Sequence, residues 1–214
     1  MRDVAALAGV SFKTVSRVIN GEPGVSPTLV ERVRSAAATL GFTPNPAASA
    51  LRRTDGRTAT LGVLLEDIGN PFFSAVHRGI EEVARGRDVA VFSGSTDLDL
   101  DRERQMTAAY SARRVDALIA APTEGDHSHL AQAVEDGIRL VLVDRPADGL
   151  EAQTVLTDNR AGARTGVVHL IDHGHRRIAF IGRDPAIYTA RERYDGYVDA
   201  LDRKSTRLNS SHAN

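Results

Sequence analysis

The 214-residue sequence contains no cysteine and no tryptophan, and aromatic residues make up only 5% of it. Without cysteine, the chain forms no disulfide and offers no thiolate ligand to a metal ion. No apolar run approaches the roughly 18 residues that a membrane-spanning helix requires. Arg2 and Asp3 lead directly into a helical pattern, without the apolar stretch of a secretory signal peptide. We therefore expect a globular protein of the cytoplasm.

The sequence also lacks an overall excess of charge, with 27 Lys and Arg against 28 Asp and Glu. The charges are unevenly distributed, however. Residues 1–57 carry eight Lys or Arg and four Asp or Glu, so this part is basic and the remainder is acidic. We call residues 1–57 the head and the rest of the chain the body. A basic head on an acidic body favours an anionic partner for the head.

The start of the chain shows helical spacing in three short segments. The first ends at Gly9, a residue typical of tight turns after helices. Ser11 precedes the second segment as its predicted N-cap, and Ser26 precedes the third, with Pro27 at its first helical position. Helical spacing assigns to the buried side Val4, Leu7, Ala8, Val15, Val18, Ile19, Leu29, Val30, Val33, Ala37 and Leu40.

From about residue 58, apolar strand patterns alternate with helical patterns. Strands are predicted at 59–65, 89–93, 115–121, 139–143, 154–157 and 177–182. Helices are predicted at 72–86, 101–114, 127–136, 160–173 and 190–201. Such alternation predicts an α/β fold with a parallel sheet that is covered on both faces. Ligands of these sheets bind beyond the carboxyl ends of the strands.

The first two helices have the features of a helix-turn-helix: small Ala5, a tight turn at Gly9 and a second helix rich in hydrogen-bonding groups. In that motif the second helix enters the major groove of DNA. Its outward groups here are Phe12, Lys13, Thr14, Ser16 and Arg17. Lys and Arg donate to guanine edges, whereas hydroxyls suit phosphates. The alternative is a small helical cap whose charges are simply solvated.

Three stretches resemble the LacI family of bacterial transcription regulators: "RDVAALAGVSFKTVSRVING", "VSPTLVERVRSAAATLGFTPNPAASALR" and "TATLGVLLEDIGNPFF". They follow in the family's order of helix-turn-helix, third helix, hinge and first strand-loop of a ligand-binding core. The resemblance runs from residue 2 to about residue 201.

The resemblance implies roles for individual residues of the head. Phe12, Lys13 and Arg17 would contact bases, and Thr14, Ser16 and Asn20 would lie nearer the DNA backbone. The hinge would follow Asn45, with Leu51 as an apolar wedge in the minor groove and Ala48 beside it. Apolar wedges of this kind unstack and kink a duplex. By residue type alone, a buried helix contact is the preferred interpretation of Leu51.

For the body, the resemblance implies a periplasmic-binding-protein-like fold with two subdomains around a ligand cleft. The positions that match ligand-binding ones are Phe72, Phe73, Asp144, Thr189 and Arg193. An arginine in a cleft suits a carboxylate, a phosphate or a pair of sugar hydroxyls. Phe72 and Phe73 also begin an amphipathic helix, so one of them is expected in the core.

We divide the chain into a helix-turn-helix domain (1–44), a hinge helix and linker (45–57), a first core subdomain (58–157) and a partial second subdomain (158–201). The remaining residues, 202–214, include "DRKSTRLNSSH", which resembles a translated sequencing adapter. We interpret 202–214 as a non-native tail.

The predicted function is that of an effector-controlled repressor. It would bind a pseudo-palindromic double-stranded DNA operator as a homodimer and respond to a small molecule, such as a sugar. The alternative is a ligand-binding module of the periplasmic-binding-protein type that has no role on DNA. We do not expect an enzyme or a cofactor, since no nucleophile elbow, P-loop or HExxH motif is present. The segment "HLIDHGH" has His169 and His173 at helical spacing, but we expect no metal there.

Overall fold

A computed structural model describes residues 1–42 and 57–210, with side chains described up to residue 202. The chain divides into two compact units, Met1–Thr58 and Ala59–Asn214. The expected domain boundaries remain predictions, and the hinge positions Asn45, Ala48 and Leu51 lie outside the described residues.

The head contains the three expected helices, α1 (Arg2–Ala8), α2 (Phe12–Ile19) and α3 (Pro27–Thr39). The two predicted serine caps are confirmed, because Ser11 Oγ accepts from the Thr14 amide and Ser26 Oγ accepts from the Leu29 amide. Gly9 ends α1 in the left-handed region, at φ 61°. A β-carbon at Gly9 would also lie 2.9 Å from the Arg32 guanidinium, which donates to the carbonyl of Ala8. The turn between α1 and α2 therefore requires glycine.

The core of the head is built mainly from small side chains on three helices. Its buried members are Val4, Ala5, Ala8, Val15, Val33, Ala36 and Ala37. Two predicted core positions are wrong. Leu7 is 54% exposed, because α1 meets its neighbours along Val4, Ala5 and Ala8 rather than along the wider stripe that helical spacing suggested. Leu40 is 46% exposed at the C-cap position of α3, beyond the last buried residues of that helix, Ala36 and Ala37.

The body contains a five-stranded parallel sheet in the order β2-β1-β3-β4-β5. Its strands are β1 (Thr60–Leu65), β2 (Ala90–Ser95), β3 (Ala117–Ala120), β4 (Arg139–Val143) and β5 (Gln153–Val155). The helices are α4 (Pro71–Arg85), α5 (Leu100–Ala112), α6 (Ser128–Glu135), α7 (Asn159–Asp172) and α8 (Tyr188–Ser210). The predicted parallel α/β fold is therefore confirmed. These strands, and α4 to α7, lie within two residues of the predicted bounds, whereas α8 extends beyond residue 201.

Two apolar layers cover the sheet, because successive strand residues point to opposite faces. On one face, Val63 and Leu65 of β1 pack with Phe73 of α4. On the other face, Leu64 packs with a larger cluster that includes Leu130 of α6. Both faces of β1 are thus buried, as expected for a central strand of a parallel sheet.

The strand predicted at 177–182 is wrong, since this segment has no strand geometry. A strand needs a neighbouring strand for its backbone hydrogen bonds, and no described strand pairs with this segment. The segment packs on α8 instead. Phe180 contacts the rings of Tyr194 and Tyr197, and the Tyr197 hydroxyl donates to the carbonyl of Ile178 at 2.9 Å. Ile181 remains 96% exposed.

Candidate DNA-binding surface and effector cleft

Helix α2 separates an apolar side from a polar, outward side. Val15 is completely buried in the core of the head, and Val18 and Ile19 pack against the same cluster. Phe12 is 48% exposed, and Lys13 beside it is also exposed. The residues expected to contact DNA bases therefore begin at the N-terminal end of α2, on the side that faces away from the core.

The remaining polar residues of α2 form hydrogen bonds near the surface. Arg17 donates to the carbonyl of Pro23 and lies 3.6 Å from the carboxylate of Glu22. Asn20 donates from Nδ2 to Ser16 Oγ at 3.3 Å. Arg17 is held against the loop that follows α2, and it remains about one-third exposed. Its guanidinium is thus restrained near the surface.

The carboxyl edge of the sheet contains the switch in strand order at which parallel α/β folds bind their ligands. The strand order places β1 between β2 and β3, so the chain leaves β1 towards one side and later continues on the other. Such a switch point is where ligands bind. Glu66 follows β1, Thr123 and Glu124 follow β3, and Asp144 and Arg145 follow β4.

Four charged side chains form one cluster at this edge. Arg145 donates from Nη2 to Glu66 at 2.6 Å and to Asp144 at 3.1 Å. Arg183 donates to the other oxygen of Glu66 at 2.7 Å. Burial raises the pKa of Glu66, but hydrogen bonds from Arg183 and Arg145 outweigh burial and hold that pKa below its ordinary value. Glu66 is therefore a carboxylate held between two guanidinium groups. We call Glu66, Asp144, Arg145 and Arg183 the charge cluster.

A second polar network lies beneath the loop after β3. Glu103 of α5 is completely buried and accepts from the Thr123 amide at 2.6 Å and interacts with Nε2 of His129 at 2.8 Å. Thr123 also donates to Thr96, which donates to the carbonyl of Leu65. The network joins α5 and α6 to the carboxyl ends of β1 and β3. It ties together the segments at the carboxyl edge of the sheet.

Four of the five predicted effector residues follow a strand or lie in the first turn of a helix, and Arg193 lies in the second turn of α8. Phe72 is exposed near the start of α4, whereas Phe73 is buried in the sheet core. Thr189 is buried at the start of α8, next to Tyr188, whose amide donates to Glu124 at 3.3 Å. Arg193 is exposed and donates to Asn159 Oδ1 at 2.8 Å.

The structure does not bring all five effector candidates into direct contact. Asp144 lies in the charge cluster, and its backbone adopts a φ of 70°, in the left-handed region that non-glycine residues rarely occupy. Such conformations concentrate at functional sites. Sequence reasoning missed Glu66 and Arg145. The available signal was their position, since each comes within two residues after a buried strand.

Within residues 1–42 and 57–210, no helix has the length and apolar character to cross a membrane. The same described residues include no group of three or more His, Cys, Asp or Glu that is arranged to hold a metal ion. His169 and His173 stack, with ring centroids 4.1 Å apart.

A helix-turn-helix head followed by a periplasmic-binding-protein-like core defines a class of DNA-binding regulators. Residues 1–45 match the model of bacterial regulatory proteins of the lacI family. Residues 58–212 match the model of periplasmic binding proteins and the sugar binding domain of the LacI family. The chain belongs to the LacI family, which confirms the resemblance found in the sequence.

Individual relatives show the same organisation. The chain is 37% identical over 201 residues to the HTH-type transcriptional regulator GalR of Salmonella typhimurium, and this match covers 94% of the chain but 58% of GalR. A lac repressor dimer bound to operator and the anti-inducer ONPF is 25% identical with a TM-score of 0.79, over 95% of this chain and 61% of that one. Cra from Pseudomonas putida, solved with fructose 1-phosphate, is 31% identical with a TM-score of 0.64, over 67% and 54%.

Proposed function

We propose that the protein is a sequence-specific transcriptional repressor whose affinity for operator DNA is controlled by a small-molecule effector. One observation carries the proposal: α2 presents polar and aromatic side chains outward while Val15 anchors it in the core of the head. This is the arrangement that lets a helix enter the major groove without unfolding its own domain. Membership of the LacI family supports the same function.

On DNA, the exposed groups of α2 would divide between bases and backbone. Lys13 and Arg17 would donate to guanine O6 and N7, and the ring of Phe12 would pack on a thymine methyl group. Thr14, Ser16 and Asn20 would bind phosphates and set the position of the helix. Leu51, in the hinge segment after Asn45, would insert into the minor groove at the centre of the operator.

The effector would bind at the carboxyl edge of the sheet, where Asp144, Thr189 and Arg193 are the candidate contacts. A homodimer would place two heads on the half-sites of a pseudo-palindrome. Binding of the effector to the body would then change operator affinity through a coupling between the two sites. The relatives suggest a sugar or a related metabolite, because Cra was solved with a sugar phosphate.

The alternative is a periplasmic-binding-protein-type module that binds ligand without DNA. The basic, outward surface of α2 favours the repressor over this alternative. We also infer that the protein is not an enzyme, in keeping with relatives that are named transcriptional regulators.

The experiment first selects a preferred duplex from a random-sequence DNA library with the 214-residue chain, and then measures affinity by fluorescence anisotropy. Arg17→Ala should weaken binding to the selected duplex by about tenfold or more, because a base contact contributes about 1–3 kcal/mol. Arg78→Ala, on the exposed side of α4, removes the same charge from the body and serves as the control. If no sequence is enriched, or if Arg17→Ala binds like the control, the proposal is wrong.

A further inference from the structure

Arg145 is a buried arginine with hydrogen-bond donors that nothing in the described structure satisfies. Its side chain is only 2% exposed. The Nη2 atom donates to both Glu66 and Asp144, but the Nε and Nη1 atoms are buried and have no partner among the described residues. Buried donors without acceptors cost free energy, so an acceptor that reached Arg145 would be bound favourably.

The position of Arg145 makes a ligand the natural source of that acceptor. Arg145 follows β4, and Glu66 follows β1, so the pair lies at the carboxyl edge where ligands of parallel sheets bind. Arg183 donates a hydrogen bond to the other carboxylate oxygen of Glu66, and the side chain of Arg183 is 58% exposed. Arg183 is therefore the member of the charge cluster that moves most easily when a ligand enters.

The balance of charge at the cluster determines which ligands fit. Two guanidinium groups face two carboxylates, so the cluster as a whole is neutral. Asp67 after β1 and Glu124 after β3 add two negative charges to the same edge, whereas Arg193, the other charged candidate contact, adds one positive charge. A phosphate or carboxylate on a ligand would meet Glu66 and Asp144 as well as Arg145, and like charges at such distances repel. A hydroxyl group avoids this conflict, because it accepts from a guanidinium and donates to a carboxylate.

We propose that Arg145, Glu66 and Asp144 bind an uncharged, polyhydroxylated effector and select against its phosphorylated form. Ligand hydroxyl oxygens accept from Nε or Nη1 of Arg145, and ligand hydroxyl groups donate to Glu66 or Asp144. Glu66 carries the selection, because its carboxylate pairs with both Arg145 and Arg183. This proposal rests on the proposed effector site and narrows the class of molecule that occupies it.

The test uses matched pairs of a sugar and its phosphate: galactose and galactose 1-phosphate, ribose and ribose 5-phosphate, glucose and glucose 6-phosphate, fructose and fructose 1-phosphate. Isothermal titration calorimetry measures each affinity for the 214-residue chain. At least one free sugar should bind, and its phosphate should bind about tenfold more weakly or worse. Tighter binding of a phosphate by the unmodified chain would overturn the proposal.

Two variants separate the role of Glu66 from general effects on folding. Glu66→Gln should lower the preference for the free sugar by about tenfold or reverse it, because two guanidinium charges are then offset only by Asp144. Arg183→Ala, at an exposed side chain, should shift the preference in the opposite direction. Glu82→Gln, exposed on α4, removes one carboxylate elsewhere and should leave the preference unchanged. An unchanged preference in both Glu66→Gln and Arg183→Ala would contradict the assignment.

The same panel distinguishes this inference from the proposed function. If a sugar phosphate binds more tightly than its free sugar and alters affinity for the selected duplex, effector control stands and selection for an uncharged ligand is wrong. If no compound of either class binds, both the effector site and its selectivity are wrong. DNA binding itself is judged separately by the anisotropy of Arg17→Ala.

Discussion

The buried carboxylate of Glu103 gives the sharpest test of the energetics at the carboxyl edge of the sheet. Glu103 is fully buried and accepts from the Thr123 amide at 2.6 Å, and Nε2 of His129 lies 2.8 Å from its other oxygen. Glu103→Gln keeps the shape of the side chain but leaves one acceptor where two donors converge. Hydrogen bonds to charged groups contribute about 1.5–3 kcal/mol, and removal of a buried charge recovers part of its desolvation cost. We expect Glu103→Gln to lower the free energy of unfolding by about 2 kcal/mol near neutral pH.

The effect of Glu103→Gln should depend on pH with a definite sign. Burial raises the pKa of Glu103, but the hydrogen bonds from His129 and Thr123 outweigh burial and hold the pKa below its ordinary value of 4.5. A carboxyl whose pKa is lowered on folding stabilises the protein fully above 4.5, and the contribution is lost as pH falls through the folded pKa. Glutamine does not titrate. The difference in stability between the unmodified chain and the variant should therefore shrink on acidification.

Urea unfolding, followed by circular dichroism from neutral to acidic pH, measures this difference. Glu82→Gln is the matched control, since its exposed position on α4 should limit the change to about 0.5 kcal/mol at any pH. A difference for Glu103→Gln that is constant with pH would show that the carboxyl does not titrate on unfolding. A difference that widens on acidification would show that burial dominates and that the folded pKa is raised. Either result would refute the reasoning.

Two further predictions concern the head. Val15→Ala should destabilise the head by about 2 kcal/mol because Val15 is completely buried at its centre, whereas Leu7→Ala, at an exposed position, should cost less than about 0.5 kcal/mol. Hydrogen exchange of the α1–α3 amides in the full chain measures both, and equal losses would contradict the assigned core. Leu51→Ala should weaken binding to the selected duplex much more than binding to a random duplex, as measured by fluorescence anisotropy. An equal loss of affinity for both duplexes would exclude a specific wedge.

Local signals in the sequence predicted much of the fold. Ser11 and Ser26 act within three residues of themselves, so their capping roles are readable from sequence alone. The alternation of strands and helices has a similarly short range, and five of the six predicted strands are present. The prediction of a strand at 177–182 failed because an apolar pattern is a local signal, whereas a strand also requires a neighbouring strand that is distant in sequence. The prediction that Leu7 is buried failed because the width of a buried face depends on how the neighbouring helices pack against it.

The charge cluster could not be predicted from the sequence, because it too depends on residues that are distant along the chain. Glu66 and Arg145 are 79 positions apart and meet only because the sheet order brings the ends of β1 and β4 to one edge. Periodicity identifies the strands, and the rule for parallel sheets identifies the edge. Neither states which polar side chains at that edge will pair. By contrast, Asp144 was predicted because the resemblance to the family pointed to "LVDRP".

The head and the body differ in how much they would gain from their proposed ligands. The core of the head contains four alanines among its seven buried members, so its helices pack closely but bury little apolar surface. A domain with so small a core gains most from any partner that binds only its folded form. Operator DNA would therefore stabilise the head while α2 is bound. In the proposed mechanism, the coupling between operator and effector is reciprocal, so the factor by which a sugar changes operator affinity would equal the factor by which the operator changes sugar affinity. Under this proposal, Glu66→Gln should alter the response of DNA binding to a given sugar without altering operator affinity in the absence of sugar.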